Sequence, residues 1–202
     1  MTAHPVSLVV FDAMGVLYRW GDDVGQVLIP YLRRLGCRLD RVTIEQWYDD
    51  ASLGRMTSAE LWAFFGVVAD NDAYCAGYDL TPGIPELLAD LRRQGVALAC
   101  LSNDLAEWSR VLRHQFGLDH LIDHWVISGD IGCRKPDAAA YDRLIDSTGV
   151  APSAVFFLDD KPENVVAARQ AGWQAAIFTG VDSARQQSRQ RGLLPDQPGA
   201  PR

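Results

Sequence analysis

The stretch VSLVVFDAMGVLY, residues 6–18, decides how the rest of the chain is read. Its first six residues are apolar but for Ser7 and show no polar alternation, the pattern of a strand buried on both faces of a parallel sheet. One carboxylate, Asp12, stands at the end of that run, and Gly15 marks a turn beyond it. Four more short apolar runs follow: VALACL (96–101), HWVIS (124–128), AVFFL (154–158) and QAAIF (174–178). Helical stripes fall between them. Ile84, Leu87, Leu88 and Leu91 recur at i, i+3, i+4, i+7, and Tyr141, Leu144 and Ile145 begin another. Strands alternating with helices predict an α/β fold, a Rossmann-like doubly wound parallel sheet.

Polar residues gather where these strands should end. The first run ends in Asp12, the second in Ser102 and Asn103, and the fourth in Asp159 and Asp160. Lys135 follows the third run within the loop GDIGCRKPD. A parallel sheet presents the C-terminal ends of its strands along one edge, where ligands bind. Each cluster alone has a plainer reading: DxxG as a turn, SND or DD as a helix cap, KPD as a helix start. Two adjacent carboxylates, however, repel each other unless a cation joins them. Taken together in this order, the clusters predict one shared site.

Residues 20–79 break the rhythm. They hold no strand-like run but two amphipathic stripes, Leu28, Tyr31, Leu32, Leu35 and Leu61, Phe64, Phe65, Val68. Capping-box patterns place helix starts at Thr43 with Gln46 and at Thr57 with Glu60, and a further start at Asp104 with Glu107. TPG at 81–83 is a turn signal leading into a helix. A helical insertion between the first strand and the rest of the sheet is therefore expected. The tail from about Ser183 reads as a surface helix followed by disorder.

Bulk properties narrow the functions. The 202 residues are 48 % hydrophobic and carry a net charge of -7, with no Lys/Arg cluster to track a phosphate backbone. Nucleic acid is thus not an expected partner. Four widely spaced cysteines without a CxxC pair suggest neither a zinc site nor a disulfide framework, and so a reducing compartment. MTAHPVSLVVF lacks a basic start and a long apolar run, so neither a signal peptide nor a membrane span is expected. A cytoplasmic location follows as the expectation.

VVFDAMGVLY, ACLSND, GCRKPD and VFFLDDKPENVVAARQAGW, in this order over residues 6–180, resemble the four motifs of the haloacid dehalogenase (HAD) superfamily. The insertion resembles the small α-helical cap of some members. SLGRMTSAELWAFFG (52–66) is similar to caps of the subgroup holding sugar-phosphate phosphatases and the N-terminal phosphatase domain of epoxide hydrolases. The resemblance implies a core over 1–19 and 80–182, a cap over 20–79 and a C-terminal helix and tail over 183–202.

It also implies a Mg²⁺-dependent phosphatase acting on a small phosphorylated metabolite. Asp12 is then the nucleophile that becomes an aspartyl-phosphate, and Lys135 offsets charge on it. Mg²⁺ falls to Asp12, the Met14 main-chain carbonyl and Asp160, with Asp159 beside it or acting through water, and Asn164 supports the metal site. Ser102, Asn103, Met14 and Gly15 surround the phosphoryl group.

Met14 departs from the family pattern, which normally has an acid two residues after the nucleophile. That acid protonates the leaving oxygen and activates water, and a thioether does neither. Three readings result. One is a phosphatase with a substitute acid such as Asp22 or Asp23. Another is a 2-haloacid-dehalogenase-like hydrolase, against which the acidic pair Asp159–Asp160 counts. The third is a phosphate-binding or regulatory protein with weakened hydrolysis. For the entrance, Trp20, Trp47, Tyr48 and Trp62 are candidate lining residues, with Arg19 and Arg55 as candidate anion contacts.

Overall fold

The computed structural model describes residues 6–196. Five strands form the sheet: β1 (Leu8–Phe11), β2 (Ala97–Ser102), β3 (His124–Ile127), β4 (Val155–Asp159) and β5 (Gln174–Ile177). Their order is β3-β2-β1-β4-β5, every neighbouring pair parallel. All five expected strands are present and the doubly wound α/β fold is the one observed. β1 lies at the centre, with Phe11 in register with Cys100 on one side and Leu158 on the other.

The alternation missing from the sequence is present in space. Val9 and Phe11 face one core, together with Leu98, Cys100, Phe156 and Leu158. Leu8 and Val10 face the other, with Ala99, Leu101, Val155 and Phe157. Both faces are buried, so both sets of residues are apolar, as continuous-run strands require.

The helices follow in chain order. A π-helical turn (Val24–Leu28) runs into α1 (Ile29–Arg34), followed by α2 (Arg41–Ala51), α3 (Ser58–Phe64) and α4 (Asn71–Cys75). These precede β2. After them come α5 (Ile84–Arg93), α6 (Ala106–Gln115), α7 (Ser128–Ile131), α8 (Ala138–Thr148), α9 (Pro162–Gln170) and α10 (Val181–Gln190). The chain leaves β1 and returns from α4 along paired segments. The Arg19 N–H donates to the Asp79 carbonyl and the Thr81 N–H to the Leu17 carbonyl, both at 2.9 Å.

Local signals fared unevenly. Thr57 and Glu60 form the expected capping box at α3, and Gly83, at φ 85°, starts α5 after TPG. The cap of α2 is Asp40, not Thr43: its carboxylate accepts from the Thr43 N–H at 2.9 Å. Asp104 and Glu107 form no capping box. Leu105 holds the cap position of α6, and Glu107 accepts instead from the Ser58 N–H at the start of α3. α3 ends at Phe64, so its stripe stops early; Leu61 and Phe65 are buried, whereas Phe64 and Val68 are exposed. Leu35 is exposed as well. The tail helix is present as α10, while the disorder expected at 197–202 lies outside the described residues. No helix among the described residues is long and apolar enough to cross a membrane.

Candidate active site

The strand ends converge as the sequence anticipates. The Lys135 ammonium donates to Asp12 Oδ1 at 2.6 Å and to Asp159 Oδ2 at 2.7 Å, although these residues lie 123 and 24 positions apart. All three side chains are buried. Asp12 is anchored by its N–H to the Leu158 carbonyl, one step before Asp159 on the neighbouring strand. Lys135 is anchored by a reciprocal pair: its N–H donates to Asn103 Oδ1, and Asn103 Nδ2 donates to its carbonyl, each at 2.8 Å. Asn103, at the exit of β2, thus places the lysine against the ends of β1 and β4.

Asp159 and Asp160 are adjacent but not equivalent. Both Asp159 oxygens are engaged, by the Lys161 N–H at 2.8 Å, by Asn164 Nδ2 at 3.1 and 3.0 Å, and by Lys135. Among the described residues, Asp160 Oδ1 is buried without a hydrogen-bond partner. The Asp160 carboxylate also faces two glycines. Gly15, at φ 80°, has no room for a Cβ beside it, and a Cβ on Gly21 would lie 2.6 Å from Oδ2. The chain after the nucleophile folds directly onto this carboxylate, which only glycine permits.

The charges do not balance. Asp12, Asp159 and Asp160 present carboxylate oxygens within 4.8 Å of one another, with the Lys135 ammonium bonded to two of them and the Lys161 charge acting on Asp160. Burial and the neighbouring Asp159 push the Asp12 carboxyl up to about 7 in spite of Lys135. Burial and Asp159 also raise Asp160. Burial alone would lower Lys135, but Asp12 and Asp159 outweigh it and raise it. Hard oxygen donors, excess negative charge and an unpartnered buried carboxylate oxygen suit a hard cation such as Mg²⁺. Ser102 Oγ, at the end of β2, is a second buried atom without a partner.

Asp12, Met14, Asn103, Lys135, Lys161 and Asn164 line the sheet side of a cleft of about 340 Å³, while Asp159, Asp160 and Ser102 lie outside its lining. The opposite wall comes from the segment between β1 and β2: Asp22, Asp23, Glu45, Tyr48 and Asp49. Arg41 pairs with Asp22 at 3.1 Å and with Glu45 at 2.6 Å, and Arg134 pairs with Asp49. Asp23 differs, being buried beneath the Tyr48 hydroxyl, which donates to its Oδ2 at 3.0 Å.

Of the aromatic candidates for the entrance, only Tyr48 lines the cleft. Trp62 is buried among Tyr31, Tyr74 and Trp108, with its Nε1 on Asn71. Trp47 stacks on Phe64, and Trp20 lies under Arg19. Arg55 pairs with Asp50 on the surface. The further cations lining the cleft are Arg134, next to the lysine in GCRKPD, and Lys161, next to Asp160; their positions beside the motif residues were the available signal. Met14 is buried and lines the cleft, while Gly15 lies against Asp160.

Comparison with known proteins agrees with this geometry. A family model described as haloacid dehalogenase-like hydrolase matches residues 6–172. A phosphoserine phosphatase of Thermus thermophilus is 36 % identical over 124 residues, covering 61 % of this chain and 45 % of its own length. This chain therefore spans under half the length of that relative. A phosphatase of Mycobacterium tuberculosis is 30 % identical over 196 residues, covering 85 % of this chain and 87 % of its own. Among solved structures, a HAD family enzyme from Bacteroides thetaiotaomicron superposes with a TM-score of 0.77 at 17 % identity, over 91 % of this chain and 98 % of that one. The same bacterial enzyme has been solved with magnesium and inorganic phosphate.

Proposed function

This chain belongs to the haloacid dehalogenase-like hydrolases, and from that premise we propose that it is a Mg²⁺-dependent phosphatase of small phosphorylated metabolites, working through an aspartyl-phosphate at Asp12. The observation that carries the proposal is the buried Lys135 ammonium bridging Asp12 and Asp159 beside the unpartnered Asp160 oxygen. Clustered carboxylates bridged by one buried lysine fit phosphoryl transfer better than halide displacement, against which the acidic pair Asp159–Asp160 counts.

Asp12 attacks phosphorus in line, and the bond to the leaving oxygen breaks. Lys135 holds Asp12 in place and offsets negative charge as the phosphoryl group approaches. Asp12, Asp160 and the Met14 carbonyl would hold Mg²⁺, with Asp159 fixing Lys135 and the backbone of Lys161 behind them. When bound, the ion supplies charge neutralisation for a phosphate dianion facing carboxylates. The orphan Ser102 hydroxyl and the Asn103 N–H donate to phosphoryl oxygens. Among the described residues, 20–79 act as the cap over a core formed by 6–19 and 80–182, with 183–196 outside the site. The cap wall selects the substrate, in keeping with the similarity of 52–66 to the sugar-phosphatase and epoxide-hydrolase subgroup.

The test is phosphate release from a panel of alkyl, sugar and aryl phosphates with and without Mg²⁺. Release that requires Mg²⁺ and disappears in Asp12→Asn is the expected result. Silence across the panel, with beryllofluoride still bound, would replace this reading by that of a phosphate-binding protein. Metal-independent halide release from 2-chloropropionate would replace it by a dehalogenase.

A further inference from the structure

Met14 leaves the site without its usual proton donor, and the cleft wall holds four carboxylates that stand opposite: Asp22, Asp23, Glu45 and Asp49. Three of them are bound by arginine. Asp22 accepts from Arg41 at 3.1 Å and from the Gly25 N–H at 3.0 Å, Glu45 accepts from Arg41, and Asp49 pairs with Arg134. A carboxylate held by guanidinium stays ionised and makes a poor acid. Asp23 has no such partner. Among the described residues its one side-chain hydrogen bond is to the neutral Tyr48 hydroxyl, at 3.0 Å, and that hydroxyl lies 3.3 Å from the Asn103 carbonyl.

We infer that Asp23 is the general acid and base of this enzyme, taking the role that Met14 cannot fill. The inference rests on the phosphatase reading above. In the first step, Asp12 Oδ forms a bond to phosphorus and the bond from phosphorus to the leaving oxygen breaks. Asp23 gives its proton to that oxygen, releasing an alcohol and leaving phospho-Asp12 with Asp23 ionised. In the second, a water oxygen bonds to phosphorus and its proton passes to Asp23. The bond from phosphorus to Asp12 breaks, inorganic phosphate leaves, and both aspartates return to their starting states.

Tyr48 suits both states of Asp23. A protonated carboxyl donates to the tyrosine oxygen while the tyrosine O–H turns to the Asn103 carbonyl; the carboxylate accepts the same O–H instead. Burial pushes the Asp23 carboxyl up to about 6, with the Tyr48 hydrogen bond and the Lys161 charge opposing. The other groups facing it are Tyr74, Tyr78 and Asp104. Burial raises all three, and for the two tyrosines that keeps the hydroxyls neutral near pH 7. A donor with this affinity for its proton is matched to work near neutrality.

The deciding experiment compares Asp23→Asn with wild type on two substrates. An alkyl phosphate needs a proton on its leaving oxygen, whereas p-nitrophenyl phosphate does not. Expected is a loss of about 10²–10⁴-fold in kcat/KM on the alkyl substrate, with less than about tenfold loss on the aryl one. The fall of wild-type alkyl kcat/KM above about pH 6, which marks loss of the acid, should be missing in the variant. Retained aryl kcat/KM, which reads the first step alone, shows that the variant is folded. Equal losses on both substrates, or no loss on either, would overturn the role of Asp23 while Mg²⁺-dependent turnover and its loss in Asp12→Asn keep the phosphatase reading. Failure of wild type to release phosphate at all would remove both.

Discussion

The two walls of the cleft are built on opposite principles. On the sheet wall three functional residues are each tied through at least one backbone group: Asp12 by its N–H to Leu158, Lys135 by its N–H and carbonyl to the Asn103 amide, Asp159 by the Lys161 N–H. On the wall between β1 and β2 the charged groups are positioned by other side chains, Arg41 and Arg134 at the rim and Tyr48 at the base. The first wall is buried and rigidly determined. The second is largely a solvent-exposed set of ion pairs, each worth little, around one buried acid. If the sheet wall holds phosphate as proposed, proton chemistry and substrate choice fall to the other.

The contrast breaks first at Lys135. Its ammonium sits between two buried carboxylates, and removing it strands them without a counter-charge. Lys135→Met should lower stability by about 3–5 kcal/mol without added metal, read by urea unfolding, and should abolish phosphate release. A loss under about 1 kcal/mol would mean that the sheet wall is as loosely held as the rim, where single exposed pairs contribute that much or less.

Asp23 is next, because a buried acid on the other wall should be held against the preference of the fold. Its carboxyl is raised from 3.8 to about 6 by burial. The folded state thus binds that proton more tightly than the unfolded chain does. Stability from this group is present below about pH 4 and is lost as pH rises through about 6. Asn at this position has no proton to lose. Asp23→Asn should match wild type near pH 4 and exceed it by about 3 kcal/mol at pH 8, by denaturation at both values. Equal stability at both pH values would show that Asp23 is as well solvated as Asp22, and the difference between the walls would shrink to one of geometry.

The same contrast explains what could be read without coordinates. The strands were legible because both sheet faces are buried, which turns Leu8 to Phe11 and Val155 to Leu158 into uninterrupted apolar runs. The sheet-side residues were legible because each stands where such a run ends. The helical wall follows no comparable rule. Asp22 and Asp23 are neighbours in the chain, and only contacts 19 and 25 residues away, to Arg41 and Tyr48, make one an exposed ion pair and the other a buried acid. Helix starts failed for a related reason. Thr43 and Asp104 both have plausible cap chemistry, but Asp40 takes the Thr43 N–H and Glu107 is drawn to Ser58 across the helix interface. The stripe through Phe64 and Val68 likewise ran past the end of α3.

Met14 belongs to the sheet side and lines the same cleft as Asp23. If the proton role has moved to Asp23, returning an acid to position 14 adds nothing while Asp23 is present. Met14→Asp alone should then change alkyl phosphate turnover by less than about threefold. In the Asp23→Asn background the same substitution should recover at least about tenfold of the lost rate, a fraction of what a general acid contributes. The recovery is partial because Met14 is buried in an apolar setting, and an aspartate there must first be accommodated. A large gain from Met14→Asp alone would show instead that wild type runs without a dedicated acid. The departure at position 14 would then be a loss that the helical wall has not made good.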